Sequence, residues 1–352
     1  VIEAACPRCR ASLGAWPGAV ACGRCRAEFP RLGELPCLFT NADAWLATWR
    51  RQLATFDAEI GQTLELLASA RLRVDLLAAT RARLETFVGT TAALRDELHA
   101  LLDPLLGPVG AVDHDGQDVR PLTHYLDLVY RDWGWDDDGG EVGLALAELD
   151  AVAGDAPLGR TLVLGAGAAR LPYELVRRGR AQEVFALDVD LALTAAASRL
   201  ARGETVVVTE APLEANDLDA LARRHELRAP EPVDLHFTLA NGLEPPFADG
   251  SFDTVVTPWF IDVATADLRA LLPAIRRQLV PGGRWLNVGP LVYAHRVPFE
   301  LRFSAQEVVE LARGAGFDVG PPRLGTVPYT LSPLNGRGRL ERTLAFAARR
   351  DP

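Results

Sequence analysis

Apolar positions recur with two different periods along the 352 residues, and the change of period falls near Pro157. Before it, Trp45, Leu46, Trp49, Leu53 and Phe56 follow one another at helical steps, which predicts one buried helix face. Asn41 or Asp43 stands where such a helix needs a side-chain acceptor for its first free amides. Helical patterning continues from Ile60 to Leu106 through a stretch poor in Gly and Pro, and ends in the cluster Pro104 to Gly110. After Pro157, short apolar or β-branched runs alternate with helical patterns: Thr161–Leu164, Glu183–Leu187, Val233–Leu239, Thr254–Thr257, Arg284–Val288 and Thr343–Ala347. That alternation predicts parallel strands joined by crossover helices in an open α/β sheet. Ligands of such sheets sit beyond the carboxyl ends of the strands.

The candidate chemistry falls at those ends. Gly165-Ala166-Gly167 lies between the first of these strands and a helix beginning near Arg170, so the backbone can turn sharply and admit a ligand to the helix N-terminus. A tight turn without a ligand has the same signature. Asp188 closes the next strand, where a carboxylate can accept from both hydroxyls of a ribose, and this suits NAD and S-adenosylmethionine (SAM) equally. Downstream come Asn241-Gly-Leu-Glu-Pro-Pro-Phe-Ala-Asp-Gly-Ser-Phe-Asp253, entering the next strand, and Leu279-Val-Pro-Gly-Gly-Arg-Trp-Leu-Asn-Val288. This succession resembles the Rossmann-like SAM-dependent methyltransferases. The resemblance implies a seven-stranded class I sheet and a SAM site drawing on Gly165, Gly167, Arg170, Asp188, Asn241 and Thr257. Asn241 would then sit at the adenine, although Asn before Gly is also an ordinary turn former. Ala169 stands where many members carry a third glycine.

Four further segments resemble a narrower family, the carnosine N-methyltransferases: Tyr130-Arg-Asp-Trp133, Gly165 to Leu175, Phe260-Ile-Asp262 and Trp285 to Tyr293, followed by Ser304-Ala-Gln-Glu-Val308. The resemblance implies that Arg131 lies with the SAM site and that Asp262 touches the imidazole of a histidine-containing acceptor. Methyl transfer from a sulfonium needs a lone pair held in line with the methyl group. A neutral imidazole offers one lone pair and one N–H, and a carboxylate accepting from that N–H would fix the tautomer and stabilise the imidazolium product. Asp262 could instead cap the helical segment that follows. His295, two residues past Tyr293, is a candidate proton acceptor, but the family places a His directly after the corresponding Tyr, and here that residue is Ala294. Trp259, Phe260, Tyr293 and Tyr329 could wall a cationic site or simply belong to the core. Arg131 could pair with Asp132 or Asp188 for structural reasons alone. Tyrosines that the family carries before its last strand are absent between Arg337 and Glu341, which puts the acceptor, and carnosine in particular, in question. His124, three residues before Asp127 and seven before Arg131 on a probable helix, could face the cleft, whereas His99, His114, His225 and His236 show no partner pattern; all five read as surface or core residues.

Cys6-x2-Cys9 and Cys22-x2-Cys25 are separated by twelve residues, a spacing that delivers four thiolates to one zinc ion; Cys37 is left over. The region resembles small zinc-ribbon proteins that partner methyltransferases. It could cover an apolar face of the enzyme or hold a macromolecular substrate. The expected division is a ribbon over 1–40, a helical extension over 41–156 and a methyltransferase core over 157–352. The formal charge is −10, and all 37 basic residues are Arg, which speaks against a surface built mainly for nucleic acid. No apolar run approaches a membrane span and no basic-then-apolar leader is evident. The expectation is therefore a cytoplasmic enzyme, with a possible homo-oligomeric state, that methylates an imidazole nitrogen of a small molecule or peptide. An RNA methyltransferase gripping its substrate through the ribbon and a catalytically idle methyltransferase fold are the rivals.

Overall fold

The computed structural model describes residues 2–107, 122–134, 141–211, 221–264, 267–332, 334 and 338–352. His114, Arg337 and the side chain of His124 lie outside the described residues. The chain opens with two small hairpins, β1 (Glu3–Ala5) with β2 (Ser12–Ala15) and β3 (Arg31–Leu32) with β4 (Leu35–Pro36). Four helices follow: α1 (Ala42–Arg71), α2 (Ala78–Leu106), α3 (Thr123–Trp133) and α4 (Glu141–Ala153). Helix α1 buries Leu46, Trp49, Leu53, Phe56 and Ile60 and is capped by Asn41, whose side chain accepts from Ala44 N. The continuous helical pattern through residue 106 is in fact two helices, because the chain reverses between Arg71 and Ala78 and α2 packs back along α1. Neither Gly nor Pro marks that turn.

The alternating half then runs β5 (Arg160–Leu164), α5 (Arg170–Arg177), β6 (Glu183–Asp188), α6 (Leu191–Ala201), β7 (Val206–Glu210), β8 (Arg223–Leu227) and β9 (His236–Leu239). It continues with β10 (Phe252–Pro258), α7 (Leu268–Gln278), β11 (Leu279–Pro290), α8 (Ala305–Gly314), β12 (Phe317–Val319), β13 (Arg323–Tyr329) and β14 (Arg339–Arg350). The main sheet has the order β12-β14-β11-β10-β5-β6-β9, with β13 also paired to β14. Strands β9, β6, β5, β10 and β11 are mutually parallel and β14 is antiparallel to β11. This is the Rossmann-like class I sheet expected from the sequence, with one addition. Strand β12 pairs with the end of β14 and β13 with its beginning, so eight strands fill seven positions.

Side chains along the central strands alternate between two cores, as the two-residue period of a pleated strand requires. Val163, Val184 and Ala186 face the core shared with α1 to α6, whereas Leu162, Phe185 and Leu187 face the core shared with α7, α8 and the N-terminal hairpins. Between β9 and β10 the crossover 240–251 contains no helix. The face that such a helix would cover carries Phe185, Phe247 and Phe252, and there Ile2, Ala4, Leu13, Phe29 and Leu38 pack instead. Backbone bonds fix the arrangement: Ala5 N donates to Pro246 O, Ala248 N to Glu3 O and Leu38 N to Leu239 O. The last of these also shields the outer edge of β9, an otherwise open strand. No helix among the described residues is long and apolar enough to cross a membrane.

Candidate active site

Strand order reverses between β5 and β10, and the cavity lies beyond the carboxyl ends at that switch point, as the topology demands. It encloses about 650 Å³ and is lined by Gly165 and Gly167 after β5, Asp188 at the end of β6, Asn241 and Gly242 after β9, and Trp259, Phe260 and Asp262 after β10. Helices α1, α3 and α4 close over it with Trp45, Trp49, Gln52, Tyr125, Arg131 and Glu141. Strands β13 and β14 supply Tyr329, Arg339 and Glu341.

The glycine turn is held from two sides. Asp188 accepts from Gly167 N at 2.7 Å and from Asp190 N at 2.9 Å, while Trp133 Nε1 donates to Ala168 O at 2.8 Å. The Arg-Asp-Trp segment thus clamps the turn as well as lining the cavity. Gly165 has φ +71°, and a Cβ there would stand 2.4 Å from Phe260 Cδ2; one on Gly242 would stand 2.5 Å from Phe260 Cζ. Both glycines are required by the close approach of that ring. Gly289 has the matching role for the preceding residue, since a Cβ there would lie 2.7 Å from Trp259 N. Trp259 itself adopts φ +47°, an uncommon conformation for an aromatic residue that tends to accompany functional sites.

Asp262 is 3 % exposed. Its Oδ2 accepts from Val292 N at 2.8 Å, while Oδ1 is buried and has no hydrogen-bond partner. Burial, with a smaller contribution from the nearby Glu341 charge, pushes its carboxyl up to about 6. It does not cap a helix: α7 starts later and is capped by Asp267, which accepts from Arg269 N. Glu341 Oε2 accepts from Trp259 Nε1 at 2.7 Å, and its Oε1 pairs with Arg339 at 2.9 Å. Arg131 is half-buried, paired with Asp132 at 2.8 Å, and lies over the rings of Trp259 and Tyr329 at 6.0 and 5.4 Å.

Four of the expected site residues lie outside the cavity lining. Arg170 points back into α5, bonded to Glu174 at 3.0 Å and stacked on Trp133, because it belongs to the first helical turn and its side chain sweeps toward the buried face. Thr257 is fully buried within the sheet, donating to Asn287 Oδ1 and accepting from Trp285 Nε1. Tyr293 donates to Phe303 O and packs with the opposite core. His295 is exposed, its carbonyl taken by Arg302, and like its neighbours Tyr293 and Ala294 it does not line the cavity. Asn241 lines the cavity, but its Oδ1 accepts from Leu243 N, the turn-forming arrangement. Gln52, whose buried Oε1 lacks a partner, and the pair Arg339 and Glu341 are lining residues that sequence reading did not assign to the site. Gln52 carried a signal, a polar residue beside the apolar stripe of α1.

The four cysteines Cys6, Cys9, Cys22 and Cys25 converge with all sulfur atoms within 4.8 Å of one another, with Cys6–Cys25 and Cys9–Cys22 separations of 3.6 Å. Tetrahedral zinc–thiolate bonding sets sulfur atoms roughly 3.8 Å apart, so the group fits zinc. The two knuckles repeat one geometry: Arg10 and Arg26, each just after a second cysteine, have φ of +60° and +58°. Arg10 also donates to Pro245 O and Phe247 O, tying the first knuckle to the crossover.

Comparison with known proteins gives a family match over about a third of the chain. Residues 214–330 match the model of the carnosine N-methyltransferase family. The chain is accordingly a methyltransferase, as its sequence led us to expect, and the match takes in Asn241, the segment from Trp259 to Asp262, Tyr293 and Tyr329. None of the curated proteins compared with the chain matches it. Among solved structures it is similar to a putative methyltransferase from Bacillus halodurans, with 12 % identity, 59 % of this chain and 99 % of that one covered, and a TM-score of 0.42. It is similar also to the N-methyltransferase NodS from Bradyrhizobium japonicum, solved with S-adenosylhomocysteine, at 14 % identity, 65 % and 98 % coverage and a TM-score of 0.43. A third similar structure is the complex of the Haloferax volcanii Trm112 methyltransferase activator with a putative methyltransferase, at 17 % identity, 59 % and 89 % coverage and a TM-score of 0.40.

Proposed function

We propose that the protein is a SAM-dependent N-methyltransferase whose acceptor is an imidazole nitrogen of a histidine-containing small molecule or peptide. One observation carries this reading: Asp262 is a buried carboxylate in the cavity wall with one oxygen left without a donor. A buried acceptor of this kind costs stability unless a ligand completes it, and an imidazole N–H is a suitable donor. The cavity fits SAM in size and lining, with the glycine turn, the Asp188 carboxylate at the ribose position and the aromatic residues Trp45 and Trp49 on its cap. SAM when bound supplies an electrophilic methyl group. Asp188 and the backbone of Gly165 to Gly167 would hold its nucleoside, with Asp188 exchanging its present amide donors in part for ribose hydroxyls. Asp262 orients the acceptor, keeps its lone pair on the nitrogen facing the methyl group and offsets the charge of the imidazolium formed. Trp259, held by Glu341, and Tyr329, flanked by Arg131 and Arg339, wall the same end.

The remaining parts enter the reading as follows. The N-terminal 1–40 segment is a structural zinc ribbon holding Zn2+ through Cys6, Cys9, Cys22 and Cys25. The 41–156 segment caps the 157–352 core. Packing of the ribbon against Phe185, Phe247 and Phe252 supports a covering role over a substrate-holding one.

Asp262→Asn should lower kcat for imidazole methylation by at least about 100-fold, with SAM affinity retained. Since Asp262 must be ionised and the imidazole neutral, wild-type kcat/KM should rise with pH through about 6 to 6.5 and the steeper, enzyme-borne part of that limb should vanish in the variant. Label from isotopic SAM should appear on an imidazole nitrogen; unchanged turnover in Asp262→Asn would remove the proposed contact.

A further inference from the structure

We propose that Arg339 determines specificity by binding a carboxylate on the methyl acceptor, so that the enzyme selects imidazole compounds bearing a free acid over internal histidines of a protein. This rests on the imidazole reading of Asp262 given above. Arg339 and Glu341 stand two residues apart on β14 and both line the cavity. The Arg339 side chain is 60 % exposed, and its Cζ lies 4.3 Å from the centre of the Tyr329 ring. That cation–π contact holds the guanidinium over the ring while most of the side chain stays exposed. One of its five N–H donors is directed to Glu341 Oε1.

The charge pattern of the lining gives that guanidinium a purpose. Asp132, Glu141, Asp188, Asp190, Asp262 and Glu341 make the wall acidic, and Arg131 is paired with Asp132. Of the two cations among the described lining residues, Arg339 is the more exposed, at 60 % against 15 % for Arg131. A ligand carboxylate entering the cavity is repelled by Asp262 and Glu341 and meets a planar fork of matching geometry at the rim. With its acid held there, the acceptor turns its imidazole inward to Asp262, and any ammonium group it carries finds the acidic wall. Arg339 also neutralises the buried Glu341, but Glu341 is separately anchored by Trp259 Nε1, and pairing with it engages a single nitrogen of the guanidinium.

The test compares free acids with their amides: carnosine against its C-terminal carboxamide, and histidine against histidinamide, with isotope-labelled SAM. Wild type should favour the acids by at least about tenfold in kcat/KM, mainly through KM. In Arg339→Ala that ratio should fall to within about twofold of unity, and Arg339→Lys should lie between. SAM affinity of each variant reports that the fold is retained, and the wild-type ratio needs no variant. Equal methylation of acid and amide by wild type, or an acid preference that Arg339→Ala leaves intact, overturns the proposal and leaves the imidazole reading standing. If neither form of any pair is methylated, the imidazole reading falls and this inference with it.

Discussion

Ala169 shows how a single position acquires its meaning from backbone geometry. It occupies the place of a third glycine, and the structure gives it φ +59° at the N-terminus of α5, buried to 1 % exposure. Left-handed geometry costs an L-residue roughly 1–2 kcal/mol, partly offset because alanine has less freedom to lose on folding. Ala169→Gly should therefore be neutral to stabilising, by up to about 1 kcal/mol, a rise in melting temperature of about 1–3 °C by calorimetry. A clear loss would mean that the packing of its methyl group outweighs the strain. Direction of the side chain is what separated the other expected residues. Asp188, expected from its position at a strand end, and Asp262 and Arg131, expected from the family resemblance, reach the cavity, whereas Arg170 and Thr257 share the same motifs but turn into the helix face and the sheet. A motif fixes where a residue sits along the chain; the rotamer and its neighbours fix what it touches.

At the scale of elements, period and capping carried most of the information. Strands β5, β6, β10, β11 and β14 all appear where apolar runs predicted them, and Ser304 with Glu307 forms a reciprocal cap on α8. The reversal between α1 and α2 was hidden because it uses neither Gly nor Pro. Its register is marked instead by His99 of α2, which contacts Asp57 of α1 at 2.8 Å and Asp103 at 2.9 Å. Burial opposes the imidazolium, but the two carboxylate bonds win and raise its pKa. A raised folded-state value means that the stabilisation is complete below the unfolded pKa of about 6.5 and is lost as pH climbs through the folded value. Wild type should thus lose a small increment of stability, no more than about 1 kcal/mol for such partly exposed pairs, on going from pH 6 to pH 8. His99→Gln should flatten that part of a chemical-denaturation pH series; an unchanged slope would assign it to other groups.

The molecule as a whole replaces one missing crossover helix with its own N-terminus. Glu3, Ala5, Arg10, Leu38 and Thr40 all bond to residues 239–248, and the same crossover begins with Asn241 and Gly242 of the cavity. If zinc holds the four cysteines, folding of the ribbon and order in the crossover are coupled. Removing the metal with a chelator, or replacing Cys6 and Cys25 by Ser, should lower the melting temperature and raise amide exchange selectively in residues 238–249. An unchanged exchange pattern after verified metal loss would uncouple the two.

Local rules sufficed for the α/β class, the ligand-bearing strand ends, the cysteine knuckles and the carboxylate Asp188, because period, turn chemistry and ligand spacing are properties of short segments, whereas Asp262 was singled out by resemblance to a family. Tertiary structure alone decided that the N-terminal hairpins cover Phe185, Phe247 and Phe252, that Gln52 from α1 closes the cavity, and that Arg339 and Glu341 share it with Asp262. Each of these joins residues far apart in the chain, and their contact depends on how the two faces of the sheet are covered, which no local period encodes.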